Sequence, residues 1–466
     1  MTVRETRLVA GFVLALVGIT TGGCLAGAIA IAASAAPMLP TAIGCLVGGI
    51  VVPIVVRAPA ITISRRMLIV WGLAASLALV NTARVTIFAA DPQQMWASVF
   101  PPMPESGRHQ CFAAYVRAGE LAALGHADLW NQDAYAQGKH SQVRGLAGML
   151  ADPYEYPPVL AAAARVAVAA TDDYQLIRVA WFGASALAFW LAFLALARWA
   201  GGRAHDTALL CAPALALSTP LLFCLQWGQA HLIVLAAAVA GMLLLERGRR
   251  IAGASLLAFA IAVKIFPGLV LVYLAVRRRW GDVLATLGAL AVLALASAVI
   301  LGPATWHAYI THQLPAMASG QAFEFTDTNP DNYSLYGLGF KLAALGLRGG
   351  HYLAHVFSWA WTLVALGLAV VAGRREHDRA HTAIVWLGLL CVATLRSPYA
   401  PLYTGVGTLW VLAMARGVVP RYLGLFITAW ILLQGFPPVG GNALNAALSL
   451  PSQLVTIAVA ILAARD

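Results

Sequence analysis

IAGASLLAFAIAVKIFPGLVLVYLAV, residues 251–276, decides how the chain is threaded. It holds one charge, Lys264, and one proline, Pro267. Arginines flank both ends: Arg249 and Arg250 before it, Arg277, Arg278 and Arg279 after it. As a single helix it would be about 39 Å long and would cross a bilayer. That threading puts "RRRW" (277–280) on the outer side, and "GRREHDR" (373–379) with it after two more spans. Arginine-rich loops belong in the cytoplasm, so the stretch reads as a hairpin that enters and leaves on the cytoplasmic side. Each arm then has about 10–13 residues, too few for a hydrocarbon core of about 30 Å. The turn at "KIFP" stops within the membrane, where non-helical backbone persists only inside protein or beside a water-filled cavity. Pro267 supplies the break, and Lys264 stands at it.

The rest of the chain suits the same solvent. Of 466 residues, 61% are hydrophobic and only 11% charged, against about 25% charged in soluble domains; the mean hydropathy is +0.79. Apolar runs of about 20 residues recur throughout, which predicts an all-α, polytopic transmembrane bundle. The first run, 8–32, exceeds the roughly 7–15 residues of a signal-peptide core and reads as a retained span. Lys and Arg total 30 against 19 Asp and Glu. Cytoplasmic loops account for that excess, and no basic–aromatic array points to a nucleic-acid partner. Cys24, Cys45, Cys211, Cys224 and Cys391 lie in apolar runs and only Cys111 in a loop, so neither a disulfide framework nor a zinc spacing is present.

Parity then fixes the remaining path. Further arginine clusters stand at Arg4 and Arg7, at Arg57, Arg65 and Arg66, at Arg198 and Arg203, at Arg416 and Arg421, and at Arg465. All face the cytoplasm if residues 380–415 form a second short hairpin, broken at "LRSPYAPLY", with Arg396 at its turn. Spans are expected near 8–32, 36–56, 67–89, 176–198, 207–224, 230–245, 282–301, 352–372, 421–435 and 442–463. With the four hairpin arms this makes about 12–14 membrane segments, both termini cytoplasmic. Residues 1–66 supply two extra spans and 67–466 the main module. Two long loops, 90–175 and 302–351, land outside, with interfacial helices expected near 109–124 and 158–170 and a helical stretch at "ATWHAYITHQLPAMASG". Loops of that length are usually functional.

The outer side collects the informative polar residues. Membrane-embedded cations are costly and read as functional, the alternative for each being a long side chain that snorkels to the interface. Lys264 as a point charge and Arg396 as a fork suit the phosphate of an anionic, lipid-linked substrate. A carboxylate in the loops above, from Asp91, Glu105 or Glu155, can take a proton from an acceptor hydroxyl. Gln229 and His231 in "LQWGQAH" can bond a sugar or phosphate, or only bond between helices. Glu155 in "DPYEYPP" either serves the chemistry or only fixes its turn.

These motifs carry a resemblance. "QWGQAH", the hairpin with its flanking arginines, "EYPP", "NPDNYSLYGLGFKL" and "LRSPYAPLY", in this order, resemble the GT-C glycosyltransferases of family 87 over roughly residues 67–435. Their relatives include mycobacterial mannosyl- and arabinofuranosyltransferases. The resemblance implies a polyprenyl-phosphate-linked sugar donor, a lipid or glycan acceptor, inversion at the anomeric carbon, no cofactor and no metal. It also implies a place in the bacterial inner membrane with the site on the outer face. Lys264 and Arg396 match the donor-phosphate contacts, and Asn332 and Tyr333 fall where the family's second loop approaches the site; Tyr156, one of the outer-side polar residues, is a further substrate-binding candidate. The family's first loop commonly carries an aspartate about four residues before a tyrosine. Here Cys111 stands four residues before Tyr115, and a thiol with a pKa of about 8.5 replaces a carboxylate poorly. Glu105 is the first candidate to replace it, then Asp91, Glu155 and His109.

Two other readings remain. A transporter or flippase of a lipid-linked or anionic solute would also use broken helices, but should line a path to both sides and repeat its halves. Here the polar residues gather on one side, no repeat is evident, and no carboxylate falls inside a predicted span. A degenerate, non-catalytic relative would explain Cys111 but not the two embedded cations.

Overall fold

The computed structural model describes residues 3–55, 65–99, 111–135, 141–146, 152–323, 332–419, 423–435 and 441–465. Among these the chain is helical with no strand. It opens with α1 (Val3–Ala32), α2 (Met38–Val55) and α3 (Arg65–Ala90). The first long loop contributes α4 (Cys111–Ala123) and α5 (Pro158–Ala170), helices at the two positions expected, with α4 buried over nearly its whole length. Then follow α6 (Tyr174–Ala200), α7 (Gly202–Ala216), α8 (Thr219–Gln226) and α9 (His231–Glu246). The expected hairpin is α10 (Arg250–Val263) and α11 (Leu269–Val276), leading into α12 (Trp280–Leu301). The second long loop holds α13 (Pro303–Ala308), a π-helical turn (Tyr309–Gln313), α14 (Leu314–Ser319) and α15 (Leu335–Ala344). The chain ends with α16 (Gly350–Arg374), α17 (Arg379–Thr394), α18 (Val406–Val418), α19 (Leu423–Leu432) and α20 (Asn442–Arg465).

Among the described residues six helices are long and apolar enough to cross a membrane: α1, α3, α6, α12, α16 and α20. The pair α7 and α8, bent by 61°, makes a seventh if taken as one broken span. The other apolar helices are shorter, and three of the four hairpin arms, α10, α11 and α17, are among them; α18, the fourth, has 13 residues. Local chemistry sets several starts. Asp173 caps α6 by accepting from the N–H groups of Gln175 and Leu176. Ser334 caps α15 from Gly337, and Asp378 caps α17 from His381. Each satisfies N–H groups that the first helical turn leaves open.

The hairpin geometry brings the arginine-rich ends together on one face. Arg279 pairs with Glu246 and, at 2.7 Å, with Asp282, which also accepts from Arg250 at 3.0 Å. Arg277 reaches the carbonyl of Arg375 (3.2 Å), and Arg375 that of Arg465 (2.6 Å). A single crossing of 251–276 would have separated these groups.

The two hairpins differ in depth. Most residues of α17 and α18 are buried, and Trp410 packs edge-on to Phe189 of α6 with ring centroids 5.3 Å apart. The first hairpin keeps one face exposed, Ile251 and Ile265 being 82% and 51% accessible. It is held to α9 through glycine. A Cβ on Gly253 would stand 2.8 Å from the Gly241 carbonyl oxygen, so the backbones touch as small-residue packing in membranes allows.

Candidate active site

On the face opposite the arginines, three separate segments converge on Lys264. The turn after α10 leaves Lys264 partly exposed. Its Nζ lies 3.5 Å from Oε1 of Gln229 and over the rings of Tyr156 (5.2 Å) and Tyr403 (5.6 Å). The same Gln229 oxygen is 3.0 Å from the Tyr156 hydroxyl and 3.2 Å from that of Tyr115. The two hydroxyls are 3.0 Å apart, and Tyr115 also accepts from the N–H of Ala230 (3.2 Å). Aromatic faces and an amide oxygen thus surround a cation without neutralising it. Burial, followed by neighbouring ionisable groups, raises both phenols well above their ordinary range. They remain neutral hydrogen-bond donors.

Local backbone delivers each group. Gly228, at φ +65°, ends the turn between α8 and α9, a conformation that L side chains avoid. A Cβ there would also meet Phe112 at 2.7 Å. The turn is pinned by Phe112 N–H to the Trp227 carbonyl (3.1 Å) and by the Trp181 indole to the Gly228 carbonyl (2.8 Å), which fixes Gln229. On α4, Cys111 and Tyr115 are one turn apart and share a face. The Cys111 thiol lies close enough to Lys264, Tyr115 and Tyr156 to act on each electrostatically. Further along α4, Glu120 is buried against Arg117 (2.6 Å), Ser141 (2.8 Å) and the N–H of Gln142; it locks the loop rather than facing the site. Tyr156 is set by the prolines of "EYPP" and by the Trp130 indole on its carbonyl (3.2 Å).

Glu155 turns away from Tyr156 and accepts from the Gln313 side chain, joining the two long loops. Burial pushes its carboxyl up to about 8; the Gln313 bond pulls the other way, and the charge of Asp152 adds to the rise. Asp152 also acts electrostatically on Tyr156. Asp91 accepts from the N–H of Gln93 and the amide of Gln94, both at 3.1 Å, and closes the turn after α3. Glu105 and His109 lie outside the described residues.

The other expected positions stand apart from this cluster. Asn332 is wholly buried: its amide donates to the Pro398 carbonyl (2.8 Å) and its oxygen accepts from Ser334 (3.1 Å) and Ala400 (3.0 Å). It braces the second loop against the second hairpin. Tyr333 continues that brace through its N–H to the Ala400 carbonyl (2.8 Å), its ring under Lys341. His231 lies behind Lys264, its ring against Phe266 (5.3 Å) and Tyr403 (6.2 Å). Arg396 does not join Lys264 among the described residues. Its Nε donates to Thr362 and its guanidinium lies 5.4 Å over Trp359, both on α16. Tyr115, Tyr403, Gln313 and Asp152 were not among the expected site residues. Tyr115 carried a usable signal, four residues after the position where the related enzymes carry their aspartate.

A cavity of about 320 Å³ begins beside this cluster. Pro157 and Val159 line it next to Tyr156, and Ile261 and Ile265 next to Lys264. Leu290 and Ala294 of α12, with Trp306 and Tyr309, complete it. Its lining is almost wholly apolar. Among the described residues no group of three or more His, Cys, Asp or Glu is placed to hold a metal ion.

The arrangement is a cation ringed by an amide oxygen and neutral phenols, beside an apolar cavity. It can bind an anionic headgroup whose tail is apolar. The model of glycosyltransferase family 87 matches residues 154–398, narrower than the span over which the motifs run but more than half of the chain. No curated protein and no solved structure matches. With a helical membrane bundle around the matched segment, the chain belongs to glycosyltransferase family 87 and is a membrane glycosyltransferase.

Proposed function

We propose that the protein transfers a sugar, of the mannose or arabinofuranose class, from a polyprenyl-phosphate donor to a lipid or glycan acceptor at the outer face of the bacterial inner membrane. The observation that carries this reading is the adjacency of Lys264 and the apolar cavity. Ile265, the next residue, lines the cavity and is half-exposed. A phosphate at Lys264 therefore has apolar volume directly beside it for the first units of a prenyl chain. A soluble nucleotide-sugar would have no use for that volume.

In this reading Lys264 neutralises the donor phosphate, with Tyr115 and Tyr156 as hydroxyl donors beside it. The acceptor oxygen attacks the anomeric carbon from the face opposite the phosphate. The carbon–oxygen bond to phosphate breaks, and the phosphate leaves with the electron pair, stabilised by the ammonium. The acceptor proton goes to a carboxylate. Among the described residues Glu155 has a proton affinity matched to neutral pH; Glu105, nearer the family's aspartate in sequence, is the second candidate. Cys111 occupies the family position but supplies no carboxylate.

The test is transfer of radiolabelled sugar from polyprenyl-phosphate donors by purified protein in nanodiscs. Wild type should transfer, and Lys264→Ala should not. Comparison of Glu155→Gln with Glu105→Gln identifies the base. A wild type inactive with every polyprenyl-phosphate sugar, while the folded protein binds a different donor class, would overturn the reading.

A further inference from the structure

We propose that Arg396 holds the phosphate of an anionic membrane lipid at a site of its own, separate from Lys264. The starting observation is direction. Arg396 stands at the turn of the second hairpin, yet its side chain runs outward to α16. Thr362 takes its Nε, and Trp359 lies beneath the guanidinium. Trp359 is 65% accessible, and Tyr352 and Leu363 on the same helix are each 73% accessible. That stripe is a surface facing lipid. Arg396 is itself partly exposed on it.

Depth makes the placement costly. α17 has 16 residues and rises about 24 Å from the arginine-rich face, short of a hydrocarbon core of about 30 Å. The guanidinium therefore lies in the outer part of the core, at its lipid-facing edge. Among the described residues no carboxylate is within ion-pair distance of it, and neither Nη group has a hydrogen-bond partner. A cation so placed needs a counter-charge. None of the described residues supplies it, and the phosphates of the adjoining leaflet can. The guanidinium presents its remaining fork in the form that phosphate accepts in two bonds. Thr362 fixes the plane of that fork, and Trp359 offers its face to the cation and its edge to the lipid chains. Nothing in this argument uses sugar transfer, so the site stands whether or not the donor is a polyprenyl phosphate.

Brominated lipids test it. They quench only tryptophans they touch, and the share belonging to Trp359 among 14 tryptophans is the difference between wild type and Trp359→Phe. The protein is placed in phosphatidylcholine nanodiscs in which phosphatidylglycerol is the minor component, without donor. Brominated phosphatidylglycerol should quench the Trp359 share about tenfold more per molecule than brominated phosphatidylcholine, whose quaternary ammonium offsets its phosphate while phosphatidylglycerol keeps a net negative charge. Arg396→Gln should bring the two to parity, and Lys264→Ala should leave the preference intact. Equal quenching in wild type overturns the proposal. So does a preference that survives Arg396→Gln, or one lost in Lys264→Ala. If Arg396→Gln fails to fold, wild type alone decides: unbrominated phosphatidylglycerol must relieve the quenching where equal phosphatidylcholine does not, and failure to do so overturns the site.

Discussion

The Nζ of Lys264 lies 3.5 Å from Oε1 of Gln229, an oxygen also within 3.2 Å of the Tyr115 and Tyr156 hydroxyls. One amide oxygen therefore aims three donors at one point. Lys264→Ala should lower sugar transfer about 100-fold or more, the usual cost of removing a donor that stabilises developing charge, with membrane insertion unchanged. Gln229→Leu should keep the ammonium but leave the two phenols without their shared acceptor. Stability should fall by about 1–3 kcal/mol, and the donor KM should rise more than kcat falls. Transfer rates and thermal unfolding in detergent, measured on both variants, check this. A Lys264→Ala variant as active as wild type would remove the ammonium from the mechanism.

Glu155 gives a pH signature. Its carboxyl ionises near 4.5 in an unfolded chain and near 8 in the fold. A base must be unprotonated, so wild-type transfer should rise with pH and level off above about 8. In Glu155→Gln the remaining activity should lose that limb. The same shift has a consequence for stability. Between 4.5 and 8 the unfolded chain releases this proton while the fold retains it, so the stability contributed by the protonated group falls across that window. Glu155→Gln cannot ionise and should gain on wild type as pH rises. Melting temperatures across the window check this independently of activity. If the activity limb is unchanged in Glu155→Gln while the stability difference appears, Glu155 is a brace between loops, and the base lies elsewhere.

The helical breaks were legible because hydropathy and the positions of proline and arginine are properties of short segments. The break at Lys264–Pro267, the second break near Arg396 and the two helices of the first long loop all follow from local pattern. The contacts of the site were not local. Tyr115 and Tyr156 are 41 residues apart, and Tyr115 and Gln229 are 114 apart; only folding shows that they share one oxygen. Equivalent turns also suggested equivalent cations, but the direction of Arg396 depends on Thr362 and Trp359, which α16 brings in from elsewhere in the chain. Asn332 shows the converse. A polar residue in a motif-rich loop spends its whole amide on backbone, and sequence cannot distinguish that from binding.

The first hairpin depends on close backbone approach at Gly253. A Cβ there would stand 2.8 Å from the carbonyl oxygen of Gly241 and from the backbone nitrogen of Leu245. Neither can move without shifting α9. Gly253→Ala should therefore destabilise by about 1–3 kcal/mol, and Gly253→Val by more. Because α10 carries Lys264 at its end, transfer should fall in Gly253→Ala even at temperatures where the protein stays folded. Gly288→Ala on α12, where nothing lies within 4 Å, is the control and should match wild type in rate with a melting temperature no lower. Equal behaviour of the two alanine variants would show that α10 and α9 are less tightly apposed than the backbone distances require.

The hairpin threading predicts which positions face the same compartment. Arg278, Arg374 and Arg465 belong to the arginine-rich face, and Asp133 lies exposed in the first long loop on the opposite one. Five of the six native cysteines are buried and Cys211 partly so, so single cysteines can be introduced and read against a low background. In intact bacterial cells a membrane-impermeant maleimide should label Asp133→Cys and leave Arg278→Cys and Arg374→Cys unlabelled until the membrane is opened. Labelling of Arg278→Cys in intact cells would mean that residues 251–276 cross the membrane once. Lys264 would then sit in the middle of a span, and the cage around it would have no access to a donor in the outer leaflet.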